Sequence, residues 1–379
     1  MRVLLLDTAF AAAPIFDSLV HAGHDVWVMG NRPNDLLAKR AGANWIDQDY
    51  SRAPEVAKHV QRHGIDYVVP GCTDVSIETC LQLRMNSHLD DAPETNRILS
   101  NKEAFRRLCV ELDLPAPIVV PISKFPTPGR FICKPVDAFS GRGITVFDGD
   151  DVDALRAAYA VAKEASPTSS ALIETFAEGD LHSCSAFVED GRLTTAFYVR
   201  EGSSANPFAV DTSYVVYDLP AQCAEAVEDS LERISSALQL KDGLLHAQFI
   251  LSGNQPFIVE VSRRCPGDLY SLLIEYSTGF QYAAKYASYW VDGEADSRPA
   301  LRRHVLRHTV SSIDDTIFGG LKLTKSKAVL AFFPLLAMGQ EIYGRQKSRV
   351  GILFSEASTY QALLNDYEGF VFRTAYDVA

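Results

Sequence analysis

The first seventy residues alternate short apolar runs with amphipathic stretches, and no other feature limits the fold as strongly. Val3–Leu6 is an apolar run, and Pro14–Ala22 follows at helical spacing with Gly23 as its stop. Val26–Met29 reads as a second strand, Ala43–Ile46 as a short third, Pro54–Arg62 as a helix ended by Gly64, and Tyr67–Pro70 as a further strand. Strands separated by helices lie parallel, each helix crossing over the sheet. Ligands of such sheets sit beyond the carboxyl ends of the strands. The loops Asp7–Ala9, Gly30–Arg32 and Gly71–Ser76 are therefore expected along one edge. The first of them lacks G-x-G-x-x-G, so no dinucleotide is assigned to this domain.

From Ser100 the texture changes. Ser100-Asn-Lys-Glu103 reads as a capping box opening a helix to about Leu112. Strands are expected at Ile118–Val120, Arg130–Lys134, Ile144–Phe147, Ala171–Phe176, Ser183–Glu189 and Leu193–Val199, with helices at Val152–Ala165 and Ala221–Leu238. Leu244–Leu251 and Pro256–Val261 form a hairpin across Ser252-Gly-Asn254, and Tyr270–Val291 reads as helical. The remainder mixes strands (Val305–Val310, Ala328–Phe333, Gly351–Phe354) with a helix at Thr359–Asp366.

A chain of 379 residues exceeds one ordinary core, so two or three lobes are expected. Its net charge of −12 argues against a nucleic-acid groove, which needs a cationic surface. Seven cysteines without metal-type spacing suit reduced thiols and a cytoplasmic location. The opening Met1–Leu6 run is broken by Asp7, and no stretch approaches the ~20 apolar residues of a membrane span.

Two constellations carry chemistry. Lys134 ends a strand before the glycine-rich Asp137-Ala-Phe-Ser140-Gly141-Arg-Gly143, where backbone N–H groups can close on phosphate oxygens while the lysine adds charge. A plain glycine turn between strands fits this stretch equally well. In the hairpin, His246, Gln248 and Ile250 share one strand face, as do Glu260, Ser262 and Arg264. A carboxylate in the otherwise apolar second arm is costly unless paired or metal-bound. An oxygen cluster facing phosphates suits Mg²⁺. The Glu260–Arg264 pair also fits a structural ion pair.

In this order and spacing, residues 1–290 resemble the ATP-grasp superfamily, in the branch of carbamoyl phosphate synthetase, biotin carboxylase and the purine and amino-acid ligases. The resemblance implies an α/β chain with an open parallel αβ domain at 1–97 and a two-lobed ATP-grasp fold at 98–300. A flexible lid is placed at about 129–199, and a small α+β region at 301–379 packs on the body. It implies ATP and Mg²⁺ (Mn²⁺ as the alternative ion) as cofactors. ATP would be held by Lys102, Lys134, Ser140, Gly141 and Gly143, with Glu174 and Phe176 as the adenine hinge. Gln248, Glu260 and Ser262 fall on the metal positions, and Arg264, with Lys134, on the catalytic ones. The sequence departs at Gln248, where Glu is usual, at Ser262, where Asn is usual, and at Leu181, where a ribose-binding acid is expected. Asp180 or His182 is the substitute, and Glu178 reads as a surface turn residue.

The implied reaction activates a small carboxylate, an amino acid among the candidates, as an acyl phosphate that an amine attacks, leaving ADP and phosphate. A small-molecule carboxylate and amine are the expected partners, with no nucleic acid and no membrane, and a homodimer is compatible. A kinase acting on a small metabolite through the same ATP site, and a non-catalytic nucleotide-binding module, are the alternatives.

Overall fold

The opening alternation builds a four-stranded parallel sheet of Trp45–Ile46, Asp25–Met29, Arg2–Leu6 and Tyr67–Pro70, in that order. The computed structural model describes residues 1–85, 89–138, 141–295, 297–324, 327–343 and 348–379; Ser140, expected to contact phosphate, lies outside them. Leu4 and Leu6 face one layer of core and Val3 and Leu5 the other, as a strand covered on both faces requires. The three expected loops do meet at one edge. A β-carbon on Gly71 would lie 2.2 Å from the Asp7 β-carbon, and one on Gly30 would lie 2.6 Å from Thr8, so glycine permits that approach.

Three helices in this part were not anticipated: Leu36–Ala41, Asp74–Leu83 and Pro93–Ser100. The third moves the expected capping box by one residue. Ser100 ends a helix, and Asn101 caps the next, Lys102–Glu111, by accepting from the Ala104 N–H. Ile118–Val120 makes only an isolated bridge from Val119 to Glu174 instead of a strand, and the chain turns at Ile122–Lys124.

Arg130–Pro135, Thr145–Asp148 and Ala171–Thr175 form a small antiparallel sheet covered by the helix Val152–Ala165. This unit ends near residue 175, while the strands Asp180–Glu189 and Arg192–Gly202 belong to a second, eight-stranded sheet. The hairpin Gly243–Ser252 and Gln255–Ser262 lies at one end of that sheet. Thr212–Val216, a strand that was not anticipated, links it to His304–Ser311, Arg349–Ala357 and Ala328–Pro334. The C-terminal region thus continues the large sheet rather than forming a layer of its own. The helical stretch expected at Tyr270–Val291 divides at Gly279 into Tyr270–Thr278 and Tyr282–Ser288. Among the described residues, no helix is long and apolar enough to cross a membrane.

Candidate active site

The hairpin sets the floor of the site. Gln248 lies directly opposite Glu260 and His246 opposite Ser262, so all four side chains lie on one face, and a bulge follows Gln248. Glu260 was expected to bear the cost of burial in an apolar arm. It is instead exposed, and its charge reaches Lys102, Arg264 and Glu201. His246 is turned inward: its Nδ1 lies 2.7 Å from the Ser185 hydroxyl beside Tyr270, and burial holds its pKa down to about 3. It is therefore a neutral packing residue at ordinary pH.

The small sheet and the helix Lys102–Glu111 supply the cations. Lys134, 7% exposed, donates to the Glu174 carboxylate at 2.7 Å. Arg106, from the helix behind, approaches the other oxygen of Glu174 at 2.6 Å and also donates to the Val259 carbonyl at 2.8 Å. Burial works against ionised Glu174, but Lys134 and Arg106 outweigh it and hold its carboxyl below the usual range. The Glu174 side chain is thus committed to placing Lys134. Any adenine contact in this segment falls to the backbone from 174 to 176, beside the Phe176 ring on which the Arg130 guanidinium rests at 4.7 Å. Lys102 donates to the Ala138 carbonyl at 2.7 Å, at the start of the glycine loop. Burial lowers its pKa against the pull of Glu260, while Lys134 lowers it further.

In the glycine loop, Gly141 and Gly143 take φ of 70° and 71°, a region that favours glycine. A β-carbon at Gly141 would sit 2.5 Å from the Phe208 carbonyl oxygen, so the loop packs directly on the segment after Gly202.

Arg264 points from the hairpin to the N-terminal domain. Its Nε and Nη2 reach the two carboxylate oxygens of Asp74 at 2.8 and 3.3 Å. Asp74 begins the helix Asp74–Leu83, capped by the Thr73 hydroxyl. Burial disfavours the charged guanidinium, but Asp74 and Glu260 more than offset it and raise its pKa.

Around the position of the missing ribose acid, Asp180 pairs with Arg200 at 2.5 Å and Leu181 gives its carbonyl to the same arginine at 2.8 Å. His182 is buried against Phe249 with its Nδ1 3.0 Å from the Asp180 carbonyl, and burial lowers its pKa. Glu178 pairs with Arg130 at the surface, as a turn residue should.

Arg106 escaped the sequence reading altogether, while Asp74 and Glu201 lie in stretches that were marked without a role for either side chain. In the sequence Arg200–Ala205 reads as a loop after a strand, either lining the amine site or plain surface, yet the strand runs on to Gly202 and places Glu201 inside, 4% exposed. Gln248 Nε2 donates to Glu201 at 2.6 Å. Burial pushes the Glu201 carboxyl up to about 7, opposed by Ser183, Arg307 and Gln248.

Gln248, Glu260 and Ser262 offer only oxygen, with a single carboxylate, which is the donor chemistry of Mg²⁺ shared with phosphates. No group of three or more His, Cys, Asp and Glu side chains placed to hold a metal occurs among the described residues. The set therefore fits an ion carried in with a polyphosphate better than a resident metal. A separate groove of about 1270 Å³, between the helix Ala13–His21 and Phe333–Leu335, is lined by other residues.

Comparison with known proteins agrees with this architecture. Residues 127–271, which include Lys134, Gln248, Glu260 and Arg264, match the family model described as the ATP-grasp domain. The chain therefore contains an ATP-grasp domain. Its fold over the full length is shared with an L-amino acid ligase from Bacillus licheniformis, at a TM-score of 0.80 and 15% identity, covering 100% of this chain and 98% of that one. It is likewise shared with phosphoribosylglycinamide synthetase from Anaerococcus prevotii (TM-score 0.74, 14% identity, 100% and 99% covered). A third is the biotin carboxylase domain of 2-oxoglutarate carboxylase from Hydrogenobacter thermophilus, in complex with MgADP and bicarbonate (0.75, 12%, 100% and 90%). No curated protein matches the chain.

Proposed function

We propose that the protein is an ATP-dependent carboxylate–amine ligase, activating a small carboxylate as an acyl phosphate and transferring it to an amine. The observation that carries this reading is the placement of Lys102 and Arg264 around the exposed Glu260 and its neighbour Gln248, with Lys134 beside Lys102. A carboxylate and a polyphosphate repel, and a site that joins them needs cations on several sides. The shared fold of an enzyme titled an L-amino acid ligase supports an amino acid as the carboxylate.

Magnesium–ATP, when bound, supplies the phosphoryl group and part of the countercharge. The chain's own residues do the rest. Lys134, fixed by Glu174, and Lys102, fixed by the Ala138 carbonyl, hold phosphate oxygens, with Gly141 and Gly143 letting the loop close over them. Gln248, Glu260 and Ser262 present oxygens to the cation. Arg264, aimed by Asp74 through Nε and Nη2, holds the carboxylate with its remaining N–H groups at the end of the guanidinium. His246 is buried and neutral, so no base is assigned for the amine, which reacts in its free form. Seven free buried cysteines support a reducing, cytoplasmic setting.

The test is ADP release measured over pairs of amino acids and other small carboxylates with amines. At least one pair should stimulate release, and Glu260→Gln should abolish the stimulation. ADP formation with a stable phosphorylated product and no amine dependence would identify a kinase. No stimulation by any pair, with Glu260→Gln leaving nucleotide behaviour unchanged, would defeat the ligase reading.

A further inference from the structure

Gln248 sits between two carboxylates. Glu260 is directly opposite on one neighbouring strand. On the other side, Ser183 is directly opposite Gln248, and Glu201 belongs to the strand beyond it. Glu201 in turn faces Ser213, and Ser213 faces Arg307. One face of the large sheet therefore carries a polar row over six adjacent strands: Glu260, Gln248, Ser183, Glu201, Ser213, Arg307. Directly opposed residues of antiparallel strands share a face, as do residues two apart on one strand. Arg307 closes the row by donating to the Ser213 hydroxyl at 2.8 Å and to the Asp268 carbonyl at 3.0 Å.

A primary amide has one donating end and one accepting end. Two flanking carboxylates compete for the donating end, and the structure gives it to Glu201, at 2.6 Å. The accepting oxygen is left for the side of Glu260. Oxygen beside carboxylate is unfavourable unless a cation lies between them, and a cation ligand must offer oxygen, not N–H.

We propose that Glu201 is the positioning residue of the metal site: its carboxylate takes the Gln248 N–H₂ and so presents the Gln248 oxygen, with Glu260, to the cation. The inference rests on the reading of Gln248 and Glu260 as cation ligands. It explains how a neutral glutamine serves where an acid is usual. The acid is still in the site, one side chain further back, and it aligns the ligand instead of touching the metal. Partners behind a metal ligand commonly govern affinity by about 10- to 100-fold.

The experiment is Mn²⁺ binding to the full chain in the presence of ADP, followed by the electron paramagnetic resonance signal of free Mn²⁺, with no turnover required. In Glu201→Gln, either end of the amide at 201 can meet Gln248, and the fixed orientation is lost; Mn²⁺ affinity should fall by about tenfold or more. The exchange variant Glu201→Gln with Gln248→Glu restores one acid and one amide in contact and puts carboxylate oxygen at the metal. It should recover most of the loss, which a merely structural role for Glu201 would not allow. Wild-type affinity in Glu201→Gln, or no recovery in the exchange variant, overturns the proposal. If Glu201→Gln does not fold, as read by circular dichroism, the exchange variant decides alone: Mn²⁺ binding supports the proposal and loss of binding overturns it. A wild-type chain that binds no Mn²⁺ with ADP overturns the ligase reading as well, whereas wild-type binding with an insensitive Glu201→Gln overturns this inference alone.

Discussion

Arg264 and Asp74 are 190 residues apart in sequence, yet the guanidinium meets both carboxylate oxygens, at 2.8 and 3.3 Å. The side chain proposed to hold the carboxylate is thus aimed by the N-terminal domain. The first αβ unit reaches into the candidate site through Asp74. Arg264→Lys keeps the charge but loses the fork, and should lower kcat/KM for the ligation by about 10- to 100-fold, since a hydrogen bond to a charged group contributes about 1.5–3 kcal/mol. Steady-state ADP release checks it. Asp74→Asn should leave the chain folded while shifting the KM of the carboxylate more than that of ATP.

Glu174 is fully buried with Lys134 on one oxygen and Arg106 on the other. Replacing it by Leu strands two cations in the interior, and should destabilise the chain by about 3–5 kcal/mol in urea unfolding. Adding Lys134→Met to Glu174→Leu should recover part of that loss without recovering nucleotide binding. Additive losses in the double variant would mean that the pair is not coupled.

Gly141 combines a φ of 70° with a near contact to the Phe208 carbonyl. Gly141→Ala should cost about 1–2 kcal/mol in backbone conformation alone and push the loop off that segment. Weaker ATP binding is the expected result, measured by calorimetry with a non-hydrolysable analogue, together with an unfolding midpoint lowered by about that cost. Unchanged affinity would remove the glycine loop from the site.

His308 is buried between the Thr212 and Tyr376 hydroxyls, and burial brings its pKa from 6.5 down to about 3. Between those values the unfolded chain binds a proton that the folded chain refuses. Its contribution to stability is therefore whole above pH 6.5 and is lost as pH falls toward 3, at about 1.4 kcal/mol per unit. Urea unfolding at pH 7, 6 and 5 should show this slope, and His308→Gln should flatten it by about one proton.

Patterns with local periodicity were legible in the sequence. The hairpin arms came within a residue of their observed ends because two apolar runs meet a Ser-Gly-Asn turn, and the observed register puts Gln248 opposite Glu260 on one face. Lys134 was marked by its strand and the glycines after it. What failed to show was pairing over long separations. Nothing near Asp74 in the chain announces Arg264. Arg106 looks like any exposed helix residue, because its partners Glu174 and Val259 lie on remote strands. Glu201 was hidden by Gly202-Ser-Ser, a run of turn residues that suggests a loop three residues too early, while tertiary pairing with Thr212–Val216 keeps the strand going. The Asn101 cap was mistaken for Ser100 because both residues are good caps and only the preceding helix decides between them.

The continuous eight-stranded sheet has a practical consequence for anyone shortening this chain. Its order places Thr212–Val216 between Arg192–Gly202 and His304–Ser311. A fragment stopped near residue 300, where a domain boundary looks natural, would strip one side of Thr212–Val216 and leave a raw, largely apolar edge open to pairing with other molecules. It would also take away Arg307, the far end of the polar row that begins at Glu260. Such a fragment should aggregate on expression, and the minimal soluble catalytic unit should be found to require the C-terminal strands.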